Sequence, residues 1–303
     1  MPLDILVPYW GDPALARQTV QSVLDQRDGD WLLTVVDDAY PDRALGEWMA
    51  TIDDPRVRYV RKDRNEGITA NYRTCVSLAT QDRVVILGSD DVLLPDYVGV
   101  VLAAHAAHPD VEIIQPGVRV IDGRGEVVRP LGDRVKSWIA PHVRRPTVLR
   151  GEPLAVSLLR GDWLYWPSLA FRRDVLERTE FHDDRPLIQD LALVIDVVAA
   201  GGALLVEPTV CFSYRRHGAS ASSTGGGDGA RLRGERDYFA AAADQMERRG
   251  WRRARRAAAW HSTSRLHALS LVPQAIVRHR GQVPALLAHA FRPAPAVRTG
   301  GRR

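Results

Sequence analysis

Arg83-Val84-Val85-Ile86-Leu87-Gly88-Ser89-Asp90-Asp91 sets an apolar run directly against a glycine turn and two adjacent acids. Consecutive apolar residues without polar alternation read as a strand buried on both faces, the kind that parallel sheets contain. A helix starting near Pro95, with Val98, Val101 and Leu102 apolar, makes the stretch a βα unit. The same unit recurs upstream. Leu3 to Val7 reads as a first strand, and Asp12-Pro13 caps and starts a helix whose Ala16, Val20, Val23 and Leu24 fall on one face. Trp31 to Val36 is a second strand, ending on Asp37-Asp38. Val57 to Val60 is a third, before a helix in which Tyr72, Cys75, Val76 and Ala79 share a face. This alternation predicts an α/β fold with a mostly parallel sheet flanked by helices.

Beyond residue 110 the pattern is less regular. Val111 to Gln115, Val118 to Ile121 and Val127-Val128 read as short strands, with a turn at Asp122-Gly123. A helix from Leu191 to Ala200 stops at Gly201-Gly202. Ala203 to Val206 and Val210 to Tyr214 read as two more strands. The expected division is an α/β domain over 1–220, a flexible Ser/Gly loop over 221–229, a basic helical extension over 230–290 and a disordered tail over 291–303.

With 45% hydrophobic and 26% charged residues, the chain has the composition of a folded globular protein rather than a disordered one. The two cysteines, Cys75 and Cys211, sit in apolar stretches outside any metal-ligand spacing, which fits a reducing, cytoplasmic setting. No secretory leader is expected before the first strand, and no apolar window reaches the length of a membrane span. The net charge of +4 conceals an asymmetry. From Ala230 onward there are about 16 arginines against about 4 acids, roughly +12, which leaves the first 229 residues near −8.

In an open α/β sheet, ligands bind beyond the carboxyl ends of the strands. Two strands here end in paired acids, Asp37-Asp38 and Asp90-Asp91. Adjacent carboxylates on a sharp turn suit Mg²⁺ or Mn²⁺, which take oxygen ligands and complete their shells with substrate phosphates. A nucleotide diphosphate is the natural partner. Such pairs also serve as helix caps and Asx turns, and Pro95 after Asp90-Asp91 suits that reading equally.

The run Ile5-Leu6-Val7-Pro8-Tyr9-Trp10, the Val35-Val36-Asp37-Asp38 strand end, Asn65-Glu66-Gly67-Ile68 before a helix, and Leu87-Gly88-Ser89-Asp90-Asp91-Val92-Leu93-Leu94-Pro95 together resemble the family 2 glycosyltransferases. These are inverting enzymes of the GT-A fold that use nucleotide-diphosphate sugars. The motifs match in order and spacing over about the first 100 residues, and weaker ones carry the resemblance to about residue 220. The resemblance implies that Pro8, Tyr9 and Trp10 line the nucleotide pocket and that Asp37 and Asp38 hold the base and ribose. Asn65, Gly67, Asn71 and Ser89 join the same donor site. Asp90 and Asp91 match the DxD region, which contacts the ribose and a diphosphate-bound metal. Gly88 stands where many members carry the first acid, so the expected metal site rests on the pair and the donor phosphates, and loss of Asp91 is expected to be nearly fatal to activity.

An inverting transfer needs a carboxylate to take the proton from the attacking hydroxyl. The family keeps it in a Glu-Asp motif at the start of a helix, matched here by Gln189-Asp190-Leu191, so the resemblance implies Asp190 as the base. Asp183 and Asp184 are nearby alternatives, and Asp190 also suits a helix cap. A helix N-terminus is expected to lower the Asp190 pKa. Tyr214-Arg215-Arg216-His217 resembles the family's late YRxH segment, which implies Arg216 and His217 near the diphosphate and metal. Trp163, Tyr165 and Trp166 are candidates for stacking on an acceptor sugar or for filling the core.

Arg248, Arg249, Arg252, Arg253, Arg255 and Arg256 surround Trp251, with Trp260 beyond. The segment suits either peripheral contact with an anionic membrane, near a lipid-linked acceptor at its inner face, or an arginine-rich helix packed on the catalytic domain. Nucleic acid is not expected, because the preceding domain is acidic and carries no nucleic-acid motif. The resemblance thus implies sugar transfer to a glycan or lipid-linked acceptor, in cell-surface polysaccharide, glycolipid or secondary-metabolite glycan synthesis. Gly88 and Gln189 keep open a catalytically inactive nucleotide-sugar-binding module. A nucleotidyltransferase of related fold wants a Gly-rich, basic first loop, which Pro8-Tyr9-Trp10-Gly11 is not. A dehydrogenase wants GxGxxG after the first strand, and none is there.

Overall fold

Strand β1 (Leu3–Tyr9) is buried along almost its whole length, as an unbroken apolar run requires when helices cover both faces of a sheet. The computed structural model describes residues 1–179, 181, 188–217 and 229–291. Helix α1 (Pro13–Leu24) starts as expected, with Asp12 accepting from the Ala14 amide and Ala16, Val20 and Val23 turned inward. Strand β2 (Trp31–Asp37), β3 (Val57–Arg61) and β4 (Arg83–Ile86) follow with helices α2 (Ala44–Met49) and α3 (Ile68–Leu78) between them. Strand β1 pairs in parallel with β2 and β4, and β2 with β3.

The second half of the sheet holds the short β5 (Val92–Leu93), then α4 (Tyr97–Ala107), β6 (Ile113–Asp122), α5 (Leu131–Ile139), β7 (Thr147–Arg150), α6 (Gly151–Arg160), β8 (Ala170–Arg172), α7 (Arg173–Arg178), α8 (Gln189–Ala199) and β9 (Ala203–Arg216). The order across the sheet is β3-β2-β1-β4-β8-β6-β9-β5, with β7 also paired to β9. Strand β8 runs antiparallel to both β4 and β6, and β6 is parallel to β9, so β9 points the same way as β4. The carboxyl ends of β1, β2, β4 and β9 therefore open on one edge.

Two expectations are corrected here. Residues 111–121 and 203–214, read as two pairs of short strands, form two continuous strands, β6 and β9. Each contains a proline, Pro116 and Pro208, and the pairing shifts register between Gln115 and Gly117. A bulge tolerates the missing proline N–H, which is why the strands run on. Val127-Val128 makes only an isolated bridge to Ile121.

Apolar side chains fill both faces of the sheet. Helices α3, α6 and α8 cover one face, with Cys75, Leu158, Phe171 and Val194 in its core. Helices α1, α2 and α4 cover the other, with Val20, Leu45, Val101 and Cys211. Both cysteines are buried thiols. Beyond these, α9 (Gly229–Arg248), α10 (Arg252–Trp260), α11 (Ser262–Arg278) and α12 (Val283–Phe291) form the carboxyl-terminal helices. Ala254, Ala257 and Ala258 of α10 join the first core, and Glu152 at the start of α6 accepts from the Arg253 amide, capping α10. Trp251 is half-buried against the same core, whereas Trp260 is 69% exposed and Arg252, Arg253, Arg255 and Arg256 face solvent. Apart from Gly229, which starts α9, the expected Ser/Gly loop lies outside the described residues, as do 292–303 of the expected tail. No helix of the described residues is long and apolar enough to cross a membrane.

A Cβ on Gly117 would lie 2.8 Å from the carbonyl oxygens of both Pro208 and Thr209. Backbone cannot retreat as a side chain does, so Gly117→Ala is expected to cost about 1–3 kcal/mol of stability in urea titration, by strain at the bulge.

Candidate active site

The edge where β1, β2, β4 and β9 end gathers most of the residues singled out in the sequence. Tyr9 is buried at the end of β1, its hydroxyl donating to the Gly11 carbonyl, and burial raises its pKa. Trp10 is 49% exposed, and both rings meet Tyr40 edge-on. These aromatics and Pro8 form the lip of the edge.

Asp37 and Asp38 are both buried, for different purposes. Asp37 accepts from the Tyr40 amide at 2.7 Å and from the Tyr59 hydroxyl and Arg61 guanidinium. Burial raises the Tyr59 phenol to about 12. Asp38 accepts from the Glu66 and Gly67 amides at 3.1 and 2.8 Å and pairs with Lys62. It thereby pins the Asn65–Gly67 turn, where Gly67 has φ +87° and Asn65 also accepts from the Gly67 amide. Asn71 on α3 donates to the Val36 carbonyl and is buried, its Oδ1 facing no hydrogen-bond donor among the described residues.

After β4 the chain turns through Gly88-Ser89-Asp90-Asp91, with Ser89 half-buried. Asp90 and Asp91 meet different partners. Asp91 is buried, and its Oδ1 accepts from the Arg215 amide of β9 at 2.7 Å. Burial first, then the charge of Asp90, push its carboxyl well above the ordinary range, against the pull of Arg215. Its other oxygen lies 2.5 Å from where a Gly88 Cβ would be. The glycine that replaces the family's first acid is thus the one residue that leaves room for Asp91. Asp90 keeps 30% side-chain exposure and lies 2.8 Å from Nε2 of His217.

Sequence reasoning overlooked Arg215. It is 2% exposed, donates from Nε to the Asp90 carbonyl at 2.6 Å, from Nη2 to Gln18 at 2.8 Å, and from Nη1 to the Asp122 and Gly123 carbonyls. One side chain thus ties the acidic turn to α1, β6 and β9. Alternation along β9 turns its neighbour Arg216 to the other face, where Asp133 of α5 accepts both Nε and Nη2 at 2.8 and 2.9 Å. Asp133 was also overlooked, and it accepts from the Tyr165 hydroxyl as well. Two adjacent arginines on a strand read as one basic patch; only their alternation separates them.

Asp190 stands on the first turn of α8, its Oδ1 accepting from the Leu191 amide at 2.8 Å. The expected lowering of its pKa by the helix end is overturned. Burial, then the charge of Asp162, raises the carboxyl to about 6, outweighing the Leu191 amide and Lys136. A small pocket beside it is lined by Asp162, Leu164, Trp166, Leu169, Leu191 and Val194. Its neighbour Gln189 accepts from Thr69 of α3 at 3.2 Å and is buried. Trp163 and Trp166 are core residues, whereas Tyr165 is half-buried. Asp183 and Asp184 lie outside the described residues.

The pattern of the glycosyl transferase family 2 matches residues 4–177, more than half of the chain. The protein belongs to this family. Similar relatives include the succinoglycan biosynthesis protein ExoO of Rhizobium meliloti (strain 1021), 27% identical over 208 residues that make up 68% of this chain and 58% of ExoO. The putative colanic acid biosynthesis glycosyl transferase WcaA of Escherichia coli (strain K12) is 29% identical over 102 residues, 33% of this chain and 37% of that protein. The chain therefore spans less than two thirds of the length of either relative. Among solved structures, residues 1–349 of S. aureus TarS in complex with UDP-GlcNAc superpose with a TM-score of 0.70 at 13% identity, covering 97% of this chain and 82% of that one. That likeness bears on the fold, a GT-A-like α/β sheet with carboxyl-terminal helices. Among the described residues, no group of three or more His, Cys, Asp or Glu side chains is gathered to hold a metal ion alone. Asp90 and His217 offer an oxygen and a nitrogen side by side, which suits an ion whose remaining ligands are phosphate oxygens and water.

Gly88→Ala would press a methyl into the Asp91 carboxylate, and its expected cost is about 1–3 kcal/mol of stability, measured by urea denaturation. An unchanged midpoint would mean that Asp91 has room to turn elsewhere.

Proposed function

We propose that this family 2 member is an inverting glycosyltransferase, moving a sugar from a nucleotide-diphosphate donor to an acceptor hydroxyl. The observation that carries the reading is Asp190, a buried carboxyl with a pKa raised to about 6, linked to Arg216 through α5, whose Lys136 meets Asp162 in the Asp190 pocket and whose Asp133 grips Arg216. A base needs a proton affinity near the working pH to be both ionised and effective, and Asp190 meets that condition.

The aromatic lip of Tyr9 and Trp10, with Asp37 and Asp38 behind it, receives the nucleoside. Asn65, Gly67, Asn71 and Ser89 complete that side. Asp90 and His217 would hold Mg²⁺ or Mn²⁺, which neutralises charge on the leaving diphosphate when bound. Asp91, expected beside the metal, instead seats the turn that carries Asp90. Arg216, fixed by Asp133, supplies further positive charge. Asp190 takes the proton of the acceptor hydroxyl as that oxygen bonds to the anomeric carbon. The bond from that carbon to the phosphate oxygen breaks on the opposite face, and the nucleoside diphosphate departs with its electron pair.

The UDP-GlcNAc bound to TarS supports a uridine-linked donor, and the polysaccharide names of ExoO and WcaA support a glycan or lipid-linked acceptor in cell-surface polysaccharide synthesis. Residues 1–220 then form the catalytic domain and 230–290 a basic extension that meets the inner face of an anionic membrane through Trp260 and the arginines of α10. Pelleting with vesicles of phosphatidylglycerol, but not with phosphatidylcholine alone, is the expected result. Reversing Arg252, Arg253, Arg255 and Arg256 to Glu should abolish it, at roughly 1 kcal/mol per charge.

Turnover of a panel of nucleotide sugars with Mn²⁺ tests the enzyme reading. Asp190→Asn is expected to lose about 10²–10⁴ in rate with nucleotide affinity, read by calorimetry, unchanged. Wild-type kcat/KM should fall below a pH of about 6, because the base is protonated there, and rise to a plateau above it. Nucleotide binding without any turnover would favour an inactive binding module instead.

A further inference from the structure

Asp190 shares its pocket with a second carboxylate that the transfer chemistry leaves unused. Asp162 follows α6, and its Oδ1 accepts from the Leu164 amide at 3.0 Å, which fixes the loop. Its Oδ2 lies 3.9 Å from Nζ of Lys136, on α5. That ammonium donates to the Leu164 carbonyl at 2.6 Å and sits 4.9 Å from the centre of the Tyr165 ring. The loop bearing Asp162 is thus held from both sides, by its own amide and by a helix. The rest of the pocket, Leu164, Trp166, Leu169, Leu191 and Val194, is apolar or aromatic and offers little screening.

Resting on the reading of Asp190 as the base, we propose that Asp162, held in place by Lys136, is a positioning residue that makes Asp190 a stronger base. A like charge in a poorly screened pocket opposes ionisation of its neighbour, so a carboxylate fixed beside Asp190 makes Asp190 hold its proton more tightly. Lys136 fixes Asp162 there. The groups facing Asp190 are Asp162 from the loop, Lys136 from α5 and the Tyr72 phenol from α3, with the Leu191 amide of its own helix. Tyr72 is held neutral by burial, so the balance lies between Asp162 and Lys136. Lys136 also stands one turn from Asp133 on α5, the residue that grips Arg216. A single helix therefore anchors both the cation beside the leaving group and the one that trims the base.

The test is a titration that does not depend on knowing the substrate. Protein labelled with ¹³C at the aspartate carboxyl carbon is titrated by NMR, and the Asp190 signal is assigned by its absence in Asp190→Asn. The wild-type midpoint is expected at about 6. Asp162→Asn should move it down toward the ordinary carboxylate value of about 4, and Asp162→Glu should restore it. Lys136→Met should move it up. Opposite movements are a signature that mere loosening of the fold does not produce. An unmoved midpoint in Asp162→Asn, or a downward one in Lys136→Met, overturns the proposal. Should Asp162→Asn fail to fold, Asp162→Ser, which also removes the charge but keeps an oxygen for the Leu164 amide, is titrated in its place, with the same expected fall. The base assignment fails separately, if Asp190→Asn retains wild-type turnover of a nucleotide sugar.

Discussion

A buried guanidinium holds the candidate site together. Arg215 lies in the interior with its positive charge surrounded by the carbonyls of Asp90, Asp122 and Gly123 and the amide oxygen of Gln18. Isolated, such a charge would cost several kcal/mol to remove from water, and it survives because nearly every donor finds an oxygen. The same residue's amide meets the Asp91 carboxylate, so negative charge lies close by as well. Strand β9, the acidic turn, the start of α1 and the end of β6 are consequently fixed relative to one another. Asp90 and His217 face each other across that frame.

The amino-terminal half was legible because its signals are local. Unbroken apolar runs, a proline after a capping aspartate and paired acids at strand ends each lie within about ten residues, and β1, α1, β2, β3, α3, β4 and α4 followed from them. The region between β6 and α8 was not. Helix α5 leaves Leu131 and Trp138 largely in solvent, packs Ile139 against the core and buries Asp133. Hydrophobic periodicity does not single out the buried aspartate of such a helix. What organises it is Arg216, more than 80 residues away, and no local pattern reports that.

The site divides along the same line. Asp37, Asp38, Asp90, Asp91 and Asp190 could be picked out by position. Their division of labour could not, because it depends on which way each carboxylate turns. Asp91 turns inward since Gly88 leaves it space and the Arg215 amide awaits it. The raised proton affinity of Asp190 likewise comes from burial first and then from Asp162, 28 positions earlier, and reverses what its place on a helix end alone would give.

Strand β9 carries the two arginines to opposite sides of the sheet, one into the interior clamp and the other toward Asp133. Because side chains alternate strictly along a strand, sliding β9 by one position would exchange them. Arg215 would then leave the carbonyls of Asp90, Asp122 and Gly123, and Asp133 would lose the guanidinium of Arg216. The irregularity at Gln115 and Gly117 acts as a ratchet tooth that denies this slip, so a feature distant from the chemistry governs which arginine reaches it. The placing of both arginines is therefore geared to a bulge in the sheet, and an inserted or deleted residue between 208 and 215 would undo it.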